Sequence, residues 1–213
     1  MDKLADYYAQ RAAEYEQVYA RPDRRRGVEL LKQRLPRLFA GRQVLELACG
    51  TGYWTGAIAS TASGVDALDV NEEVLEIARA KSLPAGKVRI LKASAYALPD
   101  FGRRHDALFA GCWWSHVLLE QLDDFLRGAI AALAPGALLA FADNRYIEGS
   151  SSAVSRIDAN GNSYQTRRLS DGSSHEVLKN FPSAEDLRVR VASIGKNFRH
   201  EILDCYWLMS FEA

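Results

Sequence analysis
From residue 43 to residue 143 short apolar runs alternate with stretches whose apolar residues recur at helical spacing. The runs at 43–48 (QVLELA), 64–70 (GVDALDV), 88–93 (VRILKA), 106–112 (DALFAGC) and 137–143 (ALLAFAD) are each short enough for a buried strand. Between them, 55–62 and 72–80 are rich in alanine and long side chains, and Asn71 stands where it would cap the second helix. The segment LDDFLRGAIAALAPG stops at Pro135 and Gly136, as helices often do. Strand and helix in repeated alternation predict a parallel sheet covered on both faces, with ligands beyond the carboxyl ends of its strands. Attention therefore falls on the first strand and the turn that follows it.

After residue 143 the pattern changes. Turn signals at Asn160-Gly161 and Asp171-Gly172, with alternating segments between them, predict a small hairpin or three-stranded ribbon whose loops overhang the ligand side. A helix enters at Ser183, and two closing strands meet around Asp204. Ahead of the first strand, Tyr8, Tyr15 and Tyr19 recur at helical intervals and share one face, which suits either a tyrosine-lined lid or plain packing on the sheet. Arg24 to Arg26 read as a solvated helix start, with one arginine in reach of a bound cofactor's carboxylate.

Composition narrows the setting. With 213 residues there is room for one substantial core but not for two enzyme domains of about 100–200 residues each. One domain over 1–213 is expected: helices at 1–40, a binding core at 41–143, an insertion at 144–182 and a closing helix with strands at 183–213. The 27 basic side chains balance 27 acidic ones, which argues against nucleic acid or an anionic membrane as a general partner. No apolar run approaches the roughly 20 residues of a membrane span, and the N-terminal stretch lacks a signal peptide's apolar centre. A cytoplasmic monomer or homodimer is the expectation. Cys49, Cys112 and Cys205 are odd in number and far apart, so they offer neither a disulfide framework nor a zinc spacing, and no metal site is expected.

One acid, Glu46, interrupts the first run before the turn LACGTGYW. As a G-x-G-x-x-G dinucleotide fingerprint the turn fits poorly, because Tyr53 falls where the third glycine allows close packing. The spacing Glu46, Ala48, Gly50, Gly52 instead resembles motif I of the class I S-adenosylmethionine-dependent methyltransferases. The resemblance extends over nearly the whole chain, through WWSHV, DNRY and DGSSHEVLKNF, to a bacterial family of small-molecule methyltransferases. It implies an α/β, Rossmann-like, doubly wound seven-stranded sheet with an N-terminal helical lid and a β insertion after strand five. It also implies S-adenosylmethionine as cofactor, S-adenosylhomocysteine as product, and a small-molecule acceptor.

Site residues follow from that resemblance. Glu46, Ala48, Cys49, Gly50, Thr51, Gly52 and Trp54 would shape the methionine pocket, with Glu46 reaching the ligand's ammonium or, alternatively, the loop's own amides. Asp69, nineteen positions after Gly50, would hold the ribose hydroxyls beside Val70, unless it only caps the next helix; Asp66, three residues back in the strand, is the less favoured acid. Ser94 stands where the family commonly has an aspartate, so Ser94, Ala95 and Tyr96 would form the adenine site through hydroxyl and backbone. Gly111 and Trp113 would form the wall beneath the methyl donor and Tyr8 its cover.

For chemistry, His116 is the candidate base, with Tyr15 and Tyr19 as closing residues; the alternative for His116 is a contact to a loop carbonyl without proton transfer. Trp114, Asn144, Arg145, Tyr146, His175 and Lys179 are candidate acceptor contacts, Arg145 being suited to a carboxylate or phosphate, or else simple surface decoration. A catalytically silent S-adenosylmethionine-binding regulator and a nucleotide-dependent oxidoreductase are the competing readings.

Overall fold
The computed structural model describes residues 3–102 and 104–213. The expected alternation is present: β1 (Gln43–Leu47), α4 (Thr55–Ala59), β2 (Gly64–Asp69), α5 (Glu72–Ala80), β3 (Val88–Lys92), β4 (His105–Gly111), α6 (Leu122–Ala131) and β5 (Leu133–Asn144). Three helices precede it, α1 (Lys3–Gln10), α2 (Gln17–Ala20) and α3 (Arg25–Leu38). The chain closes with α7 (Ala184–Val191), β9 (Lys196–Leu203) and β10 (Tyr206–Glu212). The seven strands are ordered β3-β2-β1-β4-β5-β10-β9, with β10 antiparallel to both its neighbours and the others parallel. Strand order reverses between β1 and β4, so their carboxyl ends open the crevice where such sheets bind ligands.

Period-two alternation divides the core between the two faces. Val44, Val65, Ala67, Ala107 and Phe109 pack with Leu31, Leu35 and Ile58 on one side, while Leu45, Leu47, Leu68, Leu108 and Phe141 pack with Phe125 and Leu126 on the other. Each such fully buried large side chain contributes about 1.5–3 kcal/mol. A second sheet, β6 (Arg156–Ile157), β7 (Ser163–Arg168) and β8 (Ser174–Leu178), is the three-stranded ribbon expected after strand five. Gly161 and Gly172 turn it, with φ of +85° and +87°. Ser183 starts α7 with a reciprocal cap, its hydroxyl accepting from the Asp186 amide while the Asp186 carboxylate accepts from the Ser183 amide.

Three local expectations need correction. The tyrosines of the N-terminal segment do not lie on one continuous helix: α1 ends at Gln10, and a short 3-10 turn over Ala12–Glu14 leads to α2. The segment is tied to separate elements, with Asn71 Nδ2 donating to the Ala5 carbonyl, Thr51 Oγ1 to Glu16, and Ser170 Oγ to Glu14. Those anchors also explain the second correction, since Asn71 holds α1 rather than capping α5 with its side chain. Finally, β5 begins at Leu133, ahead of Pro135 and Gly136, and a register irregularity against β4 between His105 and Ala107 absorbs that pair.

Candidate functional site
The turn leaving β1 is built from left-handed backbone. Ala48, Gly50 and Gly52 have φ of +50°, +55° and +70°, which small residues tolerate best. Gly50 offers its amide to Asp69 Oδ2 at 2.9 Å, and the Asn71 amide donates to Oδ1 at 3.0 Å, so Asp69 locks the turn to the end of β2. Each carboxylate oxygen keeps further acceptor capacity after these bonds. Burial pushes the Asp69 carboxyl up, against the downward pull of these amides and that of Val70.

Around this lock lies a cleft of about 270 Å³. Ala48, Gly50, Asp69, Val70, Ser94, Ala95, Tyr96, Gly111 and Trp113 line it, and Leu4, Ala5, Tyr8 and Tyr15 bring the N-terminal segment over it. Tyr96 is half exposed, its ring tilted on Trp113 at 5.8 Å and edge-on to Phe125 at 5.8 Å. Trp113 Nε1 is buried without a hydrogen-bond partner. At Gly111 a Cβ would sit 3.0 Å from the Trp54 ring and 3.1 Å from that of Phe109, so a larger residue at the strand end would press on both rings. The cleft thus pairs an apolar slot with one diol-sized acceptor group and a turn that admits close backbone approach, a donor set that fits an adenosyl ligand.

His116 closes the inner end. Its Nδ1 lies 2.6 Å from the Leu178 carbonyl, which can only accept, so Nδ1 carries the proton and Nε2 accepts from the Tyr8 hydroxyl at 2.7 Å. Burial, followed by the Lys179 ammonium, holds the ring's pKa well below the usual histidine range, keeping it neutral. Burial also pushes the Tyr8 hydroxyl up to about 12 and those of Tyr15 and Tyr19 well above their ordinary value. Beyond this wall is a second cavity of about 310 Å³. Tyr8, Tyr15, Cys112 and His116 line both spaces, so these four residues form the partition.

Residues 44–136, which span the turn and the strands that frame it, match a protein-family model described as a methyltransferase domain. A solved structure named DhpI-SAM-HEP complex superposes with a TM-score of 0.79 at 27% identity, covering 100% of this chain and 96% of that one. Residues 44–136 thus carry a methyltransferase domain, set in the fold of the class I S-adenosylmethionine-dependent methyltransferases. A DhpI-SAH complex superposes similarly, with a TM-score of 0.75 at 27% identity over 99% of this chain and 95% of that one. The CcbJ methyltransferase from Streptomyces caelestis shares the fold, with a TM-score of 0.71 at 17% identity over 100% and 99% of the two chains. In sequence, the demethylmenaquinone methyltransferase of Clavibacter sepedonicus is 32% identical over 99 residues, a match that spans 46% of this chain and 39% of that relative.

Within this fold several expected contacts lie elsewhere. Glu46 does not reach the cleft; it is 1% exposed beneath the turn, with Oε2 unpartnered. Cys49 and Trp54 are buried, the indole edge-on to Tyr19 and Tyr53. Thr51 donates to Glu16 at 2.5 Å, and Gly52 faces α5, where a Cβ would sit 3.1 Å from that of Ala78. These residues hold the turn from below. Asp66 is fully buried and bonded to Arg89 and His105, away from the cleft.

Of the acceptor candidates, Asn144 and Lys179 line the second cavity. Lys179 is paired with Asp143 at 2.8 Å and donates to Ser115 at 2.6 Å. Trp114 is 2% exposed and packs edge-on to Phe141 and Trp207. Arg145 donates to the Asp204 carbonyl at 2.7 Å, bracing the β9–β10 turn, and Tyr146 packs on Phe181 outside the cavity. His175 sits behind Tyr7 at 5.4 Å between ring centres and bonds Ser173. Tyr15 lines the cavity, as does Tyr19, which stacks on Tyr53 at 4.0 Å with its hydroxyl 3.9 Å from Cys112 Sγ.

Sequence reasoning missed Arg11, Gln165 and Arg167, which line the same cavity, and misjudged Arg24, which is 4% exposed there rather than solvated. The alternation of β7 put Gln165 and Arg167 on one face, but nothing local said that this face meets the lid. Among the described residues no group of His, Cys, Asp and Glu is arranged to hold a metal ion, and no helix is long and apolar enough to cross a membrane.

Proposed function
We propose that this chain transfers the methyl group of S-adenosylmethionine to a small-molecule acceptor, with the cofactor in the Asp69 cleft and the acceptor in the cavity beyond His116. The observation that carries the reading is the shared wall: a ligand in either space meets Tyr8, Tyr15, Cys112 and His116. The size of the second cavity, about 310 Å³, supports a small acceptor rather than a macromolecule. When bound, the cofactor supplies an electrophilic methyl on a sulfonium.

Each residue then has a limited task. Asp69 accepts from the ribose hydroxyls through oxygens not used by the Gly50 and Asn71 amides. Ser94, Ala95 and Tyr96 meet the adenine with hydroxyl, backbone and ring, opposite Val70. Gly111 to Trp113 set the floor near the methyl group. The N-terminal tyrosines cover both spaces, exclude water and align the acceptor, a contribution that in-line displacement rewards strongly. His116, neutral and bonded at both nitrogens, positions Tyr8 rather than taking a proton.

Calorimetric titration with S-adenosylmethionine, S-adenosylhomocysteine, NAD and NADP tests the reading. Selective binding of the two sulfur nucleotides, weakened about ten-fold or more in Asp69→Ala by loss of charge-assisted hydrogen bonds, is the expected result. Preferential dinucleotide binding would sink the cofactor assignment, and unchanged affinity in Asp69→Ala would sink the ribose role.

A further inference from the structure
The second cavity concentrates positive charge in a chain that has none to spare overall. Formal charges balance at net zero, yet Arg11, Arg21, Arg24, Arg167, Arg168 and Lys179 line this one space, against Glu14 as the single carboxylate among the described residues that line it. Some of that charge is neutralised locally. Lys179 has Asp143, and Arg21 has Asp23 through two bonds of 3.0 and 2.8 Å.

Four guanidinium groups are left without such a match among the described residues, of which Arg168 is exposed and the other three are at least partly buried. Arg24 is 4% exposed and donates only to neutral groups, Asn144 Oδ1 at 3.0 Å and Ser150 Oγ at 3.1 Å; its Nε is 3.8 Å from Asp23, whose carboxylate Arg21 already engages. Arg167 donates to Gln165 Oε1 at 2.8 and 3.3 Å, and Arg11 lies over the rings of Tyr7 and Tyr15 at 5.9 and 5.8 Å. Neither pairs with a carboxylate among the described residues. Withdrawing guanidinium groups from water without a counter-charge is unfavourable, and a planar fork of donors suits a carboxylate or phospho group.

Position adds a second constraint. Arg167 and Arg11 both act electrostatically on Tyr8, and Arg167 also on His116, so the unmatched charge stands at the partition rather than at the far mouth. The partition offers no free base: His116 Nδ1 donates to Leu178, and Nε2 accepts from Tyr8. An acceptor used here has to arrive already nucleophilic.

Resting on the methyltransferase reading above, we infer that the acceptor is a small oxyanion held by Arg11, Arg24 and Arg167, and that the methyl group is transferred to its ionised oxygen. An oxygen lone pair forms the new O–CH₃ bond as the S–CH₃ bond breaks. Its electron pair stays on sulfur, turning the sulfonium into a neutral thioether, and no proton moves. The product ester carries one negative charge fewer, which loosens its hold on the three guanidinium groups and favours release.

The test uses the full chain, with and without saturating S-adenosylhomocysteine, titrated calorimetrically with methylphosphonate, propionate, propylamine and 1-propanol. Binding of either anion, at least about ten-fold weaker in both Arg167→Gln and Arg24→Gln, is expected, and the two anion arms tell a phospho group from a carboxylate. Arg24 also braces Asn144 and Ser150, so circular dichroism checks its variant for folding; Arg167→Gln carries the test alone if Arg24→Gln unfolds. Anion affinity within about two-fold of the parent in Arg167→Gln, no anion binding, or preference for the amine would overturn the inference. Incubation of the bound anion with S-adenosylmethionine should yield its methyl ester, and binding without esterification would overturn transfer to oxygen. Failure of S-adenosylhomocysteine to bind would remove the cofactor reading, while the anion site stands or falls on the titration without it.

Discussion

Replacing Glu46 by glutamine is expected to stabilise the protein at alkaline pH and to remove a downward slope of stability with pH. Glu46 lies on a central strand, 1% exposed, with Oε2 buried and unpartnered. Burial pushes its carboxyl up from 4.5 to about 8, against smaller downward pulls from the Thr55 hydroxyl and Lys81. Between those two values the folded state holds a proton that the unfolded state has released. Its contribution is therefore fully present at pH values below 4.5 and is lost as pH rises through about 8. The loss is about 1.4 kcal/mol per pH unit, to an upper bound of about 5 kcal/mol. Glutamine keeps the shape and cannot ionise. Urea unfolding of both proteins at about pH 5, 7 and 9 should show a small difference at the acid end and a gain of several kcal/mol for Glu46→Gln at the alkaline end. Equal midpoints at pH 9 would refute the neutral carboxyl and require a donor or cation to meet Oε2 on folding.

Other substitutions test separate parts of the structure. Gly52→Ala combines a φ of +70° with a Cβ 3.1 Å from Ala78, and should lower stability by about 1–3 kcal/mol, read as a fall in Tm; an unchanged Tm contradicts the close approach of turn and α5. Lys179→Met leaves Asp143 buried and unpaired, and denaturant unfolding should show a loss of about 3–5 kcal/mol, partly restored by adding Asp143→Asn. His116 is a base whose pKa is depressed in the fold by burial and then by Lys179, so stability is lost as pH falls below its unfolded value near 6.5. His116→Gln should flatten that acid-side loss in the same urea series, and an unaltered slope would argue against a neutral ring.

Most of the parallel sheet was legible because its signals are local. The apolar runs of β1, β2 and β4 are bounded by turns, and the spacing from Gly50 to Asp69 follows from one strand, one turn and the next strand end. The departures have tertiary causes. A buried acid needs a partner, which points Glu46 at a ligand or at the loop's amides, but its Oε2 is buried without one and burial pushes the carboxyl up to about 8. The tyrosines kept their proximity, Tyr8 to Tyr15 at 5.8 Å and Tyr15 to Tyr19 at 6.0 Å, although the helix expected to align them is broken. Contacts to Asn71, Thr51 and Ser170, on three other elements, perform that alignment, and no window of the N-terminal sequence contains them.

The same contrast separates the two cavities. The cofactor cleft is assembled from consecutive strand ends, so each residue's place follows from its distance past an apolar run. The cavity beyond His116 is assembled from α1, the start of α3, the end of β5 and the face of β7, which are joined by long stretches of chain. Arg24 and Asn144 meet at 3.0 Å across 120 positions, and His116 meets Tyr8 at 2.7 Å across 108. A run such as RPDRRRG therefore reads as a solvated face until the partner elements are in place; then one of its arginines is buried while Arg25 and Arg26 stay exposed. The wall of that cavity depends on α1 and the ribbon docking together, with Tyr8 and Leu178 on either side of one neutral imidazole. Loosening either side should weaken acceptor alignment while leaving Asp69 and its turn, which fold with the sheet, in place.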